Sequence, residues 1–168
     1  PIDVVPEHVI NAFLAAEDKN FYDHIGIDFI GIARAVFQNV LNVASGKRLE
    51  GASTITQQVA KNFLLSSDVT LERKLKEAVL ALRLERTFNK RQLLELYLNE
   101  IYLGLGSYGV AAAALNYFDK PLSELSLEEA AYLAALPKAP NNYHPFRKRA
   151  RALARRNWVL GRMAPNGF

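Results

Sequence analysis

Apolar residues recur along this chain at intervals of three and four and almost nowhere alternate with a period of two, which predicts a mainly helical, all-α fold. Pro6 opens a first helix whose stripe is Val9, Ile10, Phe13 and Leu14. A second helix, over residues 28–43, carries Phe29, Ile32, Ala33, Val36, Phe37 and Val40, and Gly46 ends it. The run Gly46-Lys47-Arg48-Leu49-Glu50-Gly51 has glycine at both ends, charges between and no periodic apolar support, so it reads as a mobile loop feeding a helix that starts at Ser53 or Thr54. Further helices are predicted over residues 70–86, 90–99, 108–117, 126–136 and 147–163. Ser126 is an N-cap with Glu128 and Glu129 in the first turn, and Pro137 and Pro140 stop that helix. The helix over 70–86 has one stripe through Leu71, Leu75, Ala78, Val79 and Leu82 and another through Leu80 and Leu84, which predicts a helix running through the middle of a domain.

Composition sets the size of the core. With 168 residues, 50% of them hydrophobic, and no repeat or linker, the chain should form one domain over 1–168. There is no cysteine, which excludes a disulfide framework and a thiolate metal site. No apolar run approaches the roughly 20 residues that span a bilayer, so any anchor is expected upstream. The net charge of +4 conceals an asymmetry: residues 130–168 hold eight basic side chains and no acidic one. Arg147, Lys148, Arg149, Arg151, Arg155, Arg156 and Arg162 suit either contact with an anionic partner or a solvated helix face.

Three clusters carry candidate chemistry. Glu17, at the end of the first helix, lies three residues after Leu14 and four after Phe13, so its carboxylate shares the apolar face. Partial burial raises a carboxylate's proton affinity, which suits a general base acting on a sugar hydroxyl; a local pairing with Lys19 or His24 is the plainer alternative. Thr54 and Gln57 have capping-box spacing, and Thr54, Gln58 and Lys61 align opposite Ile55, Val59 and Phe63. That strip offers neutral hydrogen-bonding groups and one cation beside a helix N-terminus, or simply a well-capped solvated helix. Arg73 and Glu77 lie in line with Leu80 and Leu84, so this ion pair should be at least partly enclosed, with Lys74 beside it. Two carboxylates and three cations in a setting rich in Gln and Thr suit sugar transfer from a phosphate leaving group. No phosphate-cradling glycine loop, HExxH or GxSxG is present.

On these residues the chain resembles glycosyltransferase family 51, the peptidoglycan glycosyltransferase domain of class A penicillin-binding proteins and monofunctional transglycosylases. The resemblance covers Glu17-Asp18 through Phe21 and His24-Ile25-Gly26; Gly51 with Ser53-Thr54-Ile55-Thr56-Gln57-Gln58 and Lys61-Asn62; and Arg73-Lys74 with Glu77. It continues through Glu95-Leu96-Tyr97-Leu98-Asn99 with Tyr102-Leu103-Gly104, and Leu136-Pro137-Lys138-Ala139-Pro140 with Tyr143 and Pro145. It implies a lysozyme-like helical lobe and a smaller, mobile, membrane-associated lobe, placed over residues 25–51. It implies that undecaprenyl-pyrophosphate-linked glycan is the donor and lipid II the acceptor, with Glu17 as general base. Glu77 would assist pyrophosphate departure directly or through a bound divalent cation, Mg or Mn, and no organic cofactor is called for. Asp18, Phe21, His24, Ser53, Thr54, Gln57, Gln58, Lys61, Asn62, Arg73 and Lys74 match substrate-binding positions, and moenomycin-type inhibitors should bind there. Tyr97 and Asn99 match the fourth motif, where packing and catalytic roles both fit. Val69 departs from the family, in which an arginine is common at that place. The ending Tyr143-His144-Pro145 with Arg155-Arg156-Asn157-Trp158 looks more like the class A proteins, which implies a transpeptidase domain downstream. The same resemblance implies a transmembrane anchor upstream, a place at the outer face of the bacterial cytoplasmic membrane, and no nucleic-acid partner.

Two other readings account for parts of the pattern. A lysozyme-like helical lobe with a glutamate can cleave glycan, but cleavage releases no phosphate for Lys61, Arg73 and Lys74 to neutralise. A non-catalytic module binding a membrane or nucleic acid would explain the basic tail and leave Glu17 unexplained.

Overall fold

The computed structural model describes residues 1–44, 51–64 and 70–167. It is all-α: α1 (Glu7–Glu17), α2 (Phe29–Ala44), α3 (Ile55–Phe63), α4 (Leu71–Thr87), α5 (Lys90–Glu100), α6 (Val110–Phe118), α7 (Leu127–Ala135) and α8 (Arg149–Met163). Among the described residues there is no strand, only an isolated bridge between Tyr102 and Tyr108. Most of the loop predicted over 46–51, and Val69, lie outside the described residues.

Local chemistry sets the helix starts. The Thr54 hydroxyl accepts from the Gln57 amide while the Gln57 side chain accepts from the Thr54 amide, a capping box that begins α3. Ser126 and Glu129 repeat the device at α7, and the Thr70 hydroxyl caps α4 through the Arg73 amide at 3.1 Å. Gly109 precedes α6 with φ +82°, where any Cβ would run into the Asn99 carbonyl.

Asp28 caps α2: it accepts from the Gly31 amide at 2.8 Å and the Asn20 side-chain amide at 3.0 Å. Burial works against its charged form, but these bonds, with His24 and Arg34 nearby, hold the carboxyl below its ordinary value of 3.8. A depressed folded pKa stabilises above the unfolded value and loses that contribution as pH falls through the folded one. Asp28→Ala is expected to cost about 1 kcal/mol at neutral pH. The difference from wild type should shrink below pH 4, and thermal melts at pH 7 and pH 3 check both points.

The chain divides into two compact units, Pro1–Lys19 with Leu94–Phe168, and Asn20–Leu93. In the first, α1, α7 and α8 pack on one another. Four fully buried alanines of α7, Ala130, Ala131, Ala134 and Ala135, are small enough to let helices pack closely, and Val9 and Phe13 of α1 and Val159 of α8 are fully buried as well. The Arg162 guanidinium donates to the Ala15 carbonyl at 2.9 Å, placing a cation at the C-terminal end of α1. Arg155 and Arg162 also lie 3.7 and 4.8 Å from the Trp158 ring centroid, so part of the basic tail serves this unit's own packing.

In the second unit, α3 packs on α4. The two-sided α4 predicted from the spacing needs correction. Its buried side is Glu77, Ala81 and Leu84, whereas Leu71 (78% exposed), Leu75 and Val79 face outward. Ala81 decides which side turns in, because its backbone lies where a Cβ on Gly26 would have to go. Phe63, placed on the apolar side of α3 with Ile55 and Val59, is likewise exposed. On α2 the amphipathic pattern is turned inside out: Ala35 and Asn42 are buried, while Phe29, Ile30, Val36, Phe37, Val40 and Val43 are all more than 60% exposed.

Candidate active site

In the Asn20–Leu93 unit the structure brings together Ser53, Arg73, Lys74 and Glu77. Capping at Thr70 sets the first turn of α4, and the three-residue and four-residue spacings then bring Lys74 and Arg73 to the same side of the helix as Glu77. The Glu77 side chain is only 3% exposed. Its Oε2 accepts from Arg73 Nη1 at 3.3 Å and its Oε1 accepts from Lys74 Nζ. Lys74 also donates to Ser53 Oγ at 3.0 Å, and its side chain remains 46% exposed, against 13% for Arg73. A carboxylate enclosed between two cations leaves a local surplus of positive charge, and Lys74 presents it outward. The next groups along α3 are the exposed Lys61 and Asn62, with Gln58 partly buried. An outward ammonium, a hydroxyl and a helix N-terminus together suit an anionic oxygen ligand.

Other sequence candidates are engaged inside this unit. Thr54 and Gln57 are buried and committed to the capping box, and the Thr54 hydroxyl also donates to the Gly26 carbonyl at 2.6 Å. Phe21 is fully buried, with the His24 ring edge-on at 6.1 Å, and His24 Nδ1 accepts from the Gly26 amide at 3.0 Å. Around them runs a further network of partly buried polar groups. Glu85 Oε1 accepts from Thr56 Oγ1 at 2.6 Å and from Lys90 Nζ at 2.7 Å, and Lys90 also donates to the His24 carbonyl at 2.6 Å. The only sequence signal for it is the spacing of Glu77, Ala81 and Glu85, four and eight residues along one face of α4.

In the other unit, Glu17 closes α1 and is partly buried, one turn beyond the fully buried Phe13. Asp18 is buried at the helix end, its amide donating to the Leu14 carbonyl at 2.9 Å. Tyr97 is fully buried, edge-on to Phe13 at 6.1 Å, and its hydroxyl has no hydrogen-bond partner among the described residues. Burial, and then the negative charges of Glu17 and Asp18, push its pKa well above the ordinary value of 10.0. Tyr97 is therefore a neutral phenol in the neighbourhood of both carboxylates.

A divalent cation at Glu77 fits these residues poorly. Both carboxylate oxygens are engaged by cationic side chains, and among the described residues no three His, Cys, Asp or Glu side chains gather as a ligand set. The cations present at this position are the side chains of Arg73 and Lys74.

Comparison with known proteins identifies the family. The family model described as Transglycosylase matches residues 1–164. Penicillin-binding protein 1A of Rickettsia felis is 55% identical over 168 residues, the whole of this chain and 21% of that protein. Penicillin-binding protein 1A of Aquifex aeolicus is 59% identical over 167 residues, 99% of this chain and 23% of its own length. This chain thus spans about a fifth of the length of the curated relatives it matches. The crystal structure of penicillin-binding protein 1A from Haemophilus influenzae aligns with a TM-score of 0.52 and 31% identity, covering 97% of this chain and 14% of that one. The motifs, the all-α architecture and this match along nearly the whole length agree: the chain belongs to the transglycosylase family, the peptidoglycan glycosyltransferases that its motifs resemble.

Proposed function

We propose that the chain polymerises lipid II into β-1,4-linked glycan, with the growing strand on undecaprenyl pyrophosphate as donor. The observation that carries this reading is the Arg73–Glu77–Lys74 cluster, a buried carboxylate that holds two cations in place while one reaches outward beside Ser53. The acceptor's 4-hydroxyl oxygen attacks the donor's anomeric carbon, its proton passes to Glu17, and the bond from that carbon to the phosphate oxygen breaks. Undecaprenyl pyrophosphate leaves with the electron pair, and attack from the opposite face inverts the anomeric centre. Arg73, Lys74 and Lys61 stabilise the charge that grows on the leaving diphosphate, and Glu77 fixes the first two. Ser53, Gln58 and Asn62 contribute hydrogen bonds to donor sugar and phosphate, with Asp18, Phe21, His24, Thr54 and Gln57 shaping the surroundings. Glycan cleavage would leave the cationic cluster without a phosphate to meet. The test is polymerisation of purified lipid II: long strands support a synthase, while vesicle binding without product supports a binding module and shortened glycan a cleaving enzyme.

The outward apolar face of α2 supports association with a membrane surface, where a lipid-linked substrate would be found. Among the described residues no helix is long and apolar enough to cross a bilayer. The parent protein is proposed to carry an anchor upstream and a transpeptidase domain downstream, and to work at the outer face of the cytoplasmic membrane. Phe37 and Val40 are 68% and 66% exposed on α2. Phe37→Asp with Val40→Asp is expected to lower vesicle partitioning at least about 10-fold, from lost apolar burial and added charge. The helical signal in solution should be unchanged. Co-sedimentation with lipid vesicles measures it, and equal partitioning would remove α2 from the contact.

A further inference from the structure

Glu85 and Lys90 take no part in the chemistry just described, yet they join four segments of one unit. Lys90, at the start of α5, donates to Glu85 on α4 and to the His24 carbonyl, and its ammonium lies 4.6 Å over the buried Phe21 ring. The oxygen of Glu85 that receives Lys90 also receives the fully buried Thr56 of α3. Gly26 shows how closely the 21–26 turn is pressed against α4. Its φ is +101°, and a Cβ there would lie 2.9 Å from Glu85 Cγ and 3.0 Å from the Ala81 carbonyl. On its other side the Gly26 carbonyl accepts from Thr54, the residue that caps α3. A continuous run of contacts thus leads from Lys90 through the turn to Thr54, whose neighbour Ser53 receives Lys74.

Stabilisation alone explains this arrangement poorly. The Glu85 and Lys90 side chains are 10% and 21% exposed, and a largely enclosed ion pair carries a desolvation cost that its attraction need not recover. What such a pair does supply is fixed geometry. An anion site assembled from a helix start and a neighbouring lysine works only if the two are held to within about half an ångström.

We infer that Glu85 and Lys90 are positioning residues for the diphosphate-binding groups: they clamp the 21–26 turn onto α4 and so hold the first turn of α3, with Ser53, against Lys74. This inference rests on the glycosyltransferase reading for what is bound, and on the contacts above for how it is held. The clamp acts on affinity for the lipid-linked diphosphate more than on the turnover of bound substrate.

The test uses Lys90→Met, which keeps the aliphatic stem over Phe21, together with Glu85→Leu and Glu85→Gln. Lys90→Met and Glu85→Leu are expected to speed hydrogen exchange at the Gly26 amide and the first-turn amides of α3 at least about tenfold, with α6 to α8 unaffected. Both should raise the KM for lipid II and the Kd for the phosphoglycolipid moenomycin about tenfold while kcat changes less than threefold. Glu85→Gln keeps an oxygen to accept from Thr56 and Lys90 and should recover most of the loss. Unchanged exchange and affinity in Lys90→Met would overturn the clamp. So would faster exchange throughout the chain, which would mean general destabilisation, or a Glu85→Gln variant as impaired as Glu85→Leu. Exchange and moenomycin binding do not depend on turnover. A wild-type protein that makes no glycan therefore overturns the glycosyltransferase reading while the exchange pattern still decides the clamp.

Discussion

Glu17→Gln is expected to lower lipid II polymerisation by about 10²- to 10⁴-fold, the range associated with a positioned general base. Glutamine keeps the size of the side chain and can still accept a hydrogen bond, but it cannot take the proton of the attacking hydroxyl. Glu17 is partly buried at the end of α1, and its apolar neighbours Phe13 and Leu14 are untouched by the change, so the helical signal and melting temperature should stay close to wild type. Lipid II binding should persist as well. Initial rates with fluorescent lipid II, read beside a thermal melt, separate loss of chemistry from loss of fold. Turnover within threefold of wild type would remove Glu17 from the role of base.

The second large effect is expected at Glu77. Glu77→Gln retains an oxygen that one of its cations can use but removes the charge that holds both Arg73 and Lys74 in place. Removing one preorganised electrostatic element from a site of this kind costs about 10²- to 10³-fold in turnover. The variant should stay folded, because Lys74 is half exposed and can turn to solvent. On the proposal that Arg73 and Lys74 carry the cationic role, its rate should not recover when Mg or Mn is added. Metal rescue of Glu77→Gln, or a rate near wild type, would contradict that assignment.

Helix starts are legible in the sequence because their signals are local. Thr54 with Gln57, Thr70 before α4 and Ser126 with Glu129 each satisfy backbone donors within three residues, and the structure uses all three. The order of the motifs is legible in the same sense, and with it the family. Which face of a helix turns inward is less so. The spacing on α4 gives two apolar stripes, but the choice of the Glu77, Ala81 and Leu84 side depends on α3 and on Gly26, which are remote in sequence. On α2 the stripe is plain and the burial inverted, since a pattern of apolar residues is the same whether its partner is protein or lipid. The Glu85–Lys90 network is the least legible part. It joins Lys90 to His24 across 66 residues and Glu85 to Thr56 across 29, and each residue alone reads as a surface charge on a helix. Thr54 and Gln57 show the converse, because their cap is readable while its burial is not.

Incubating the wild-type protein with lipid II in anionic vesicles, and counting undecaprenyl pyrophosphate released against β-1,4 linkages formed, tests sugar transfer with a diphosphate leaving group most directly. The expected result is one pyrophosphate carrier released per linkage in lengthening strands, with release in Glu17→Gln lowered about 10²- to 10⁴-fold, as polymerisation is. Bound lipid II with no carrier released, or pre-formed glycan shortened instead of extended, would contradict it.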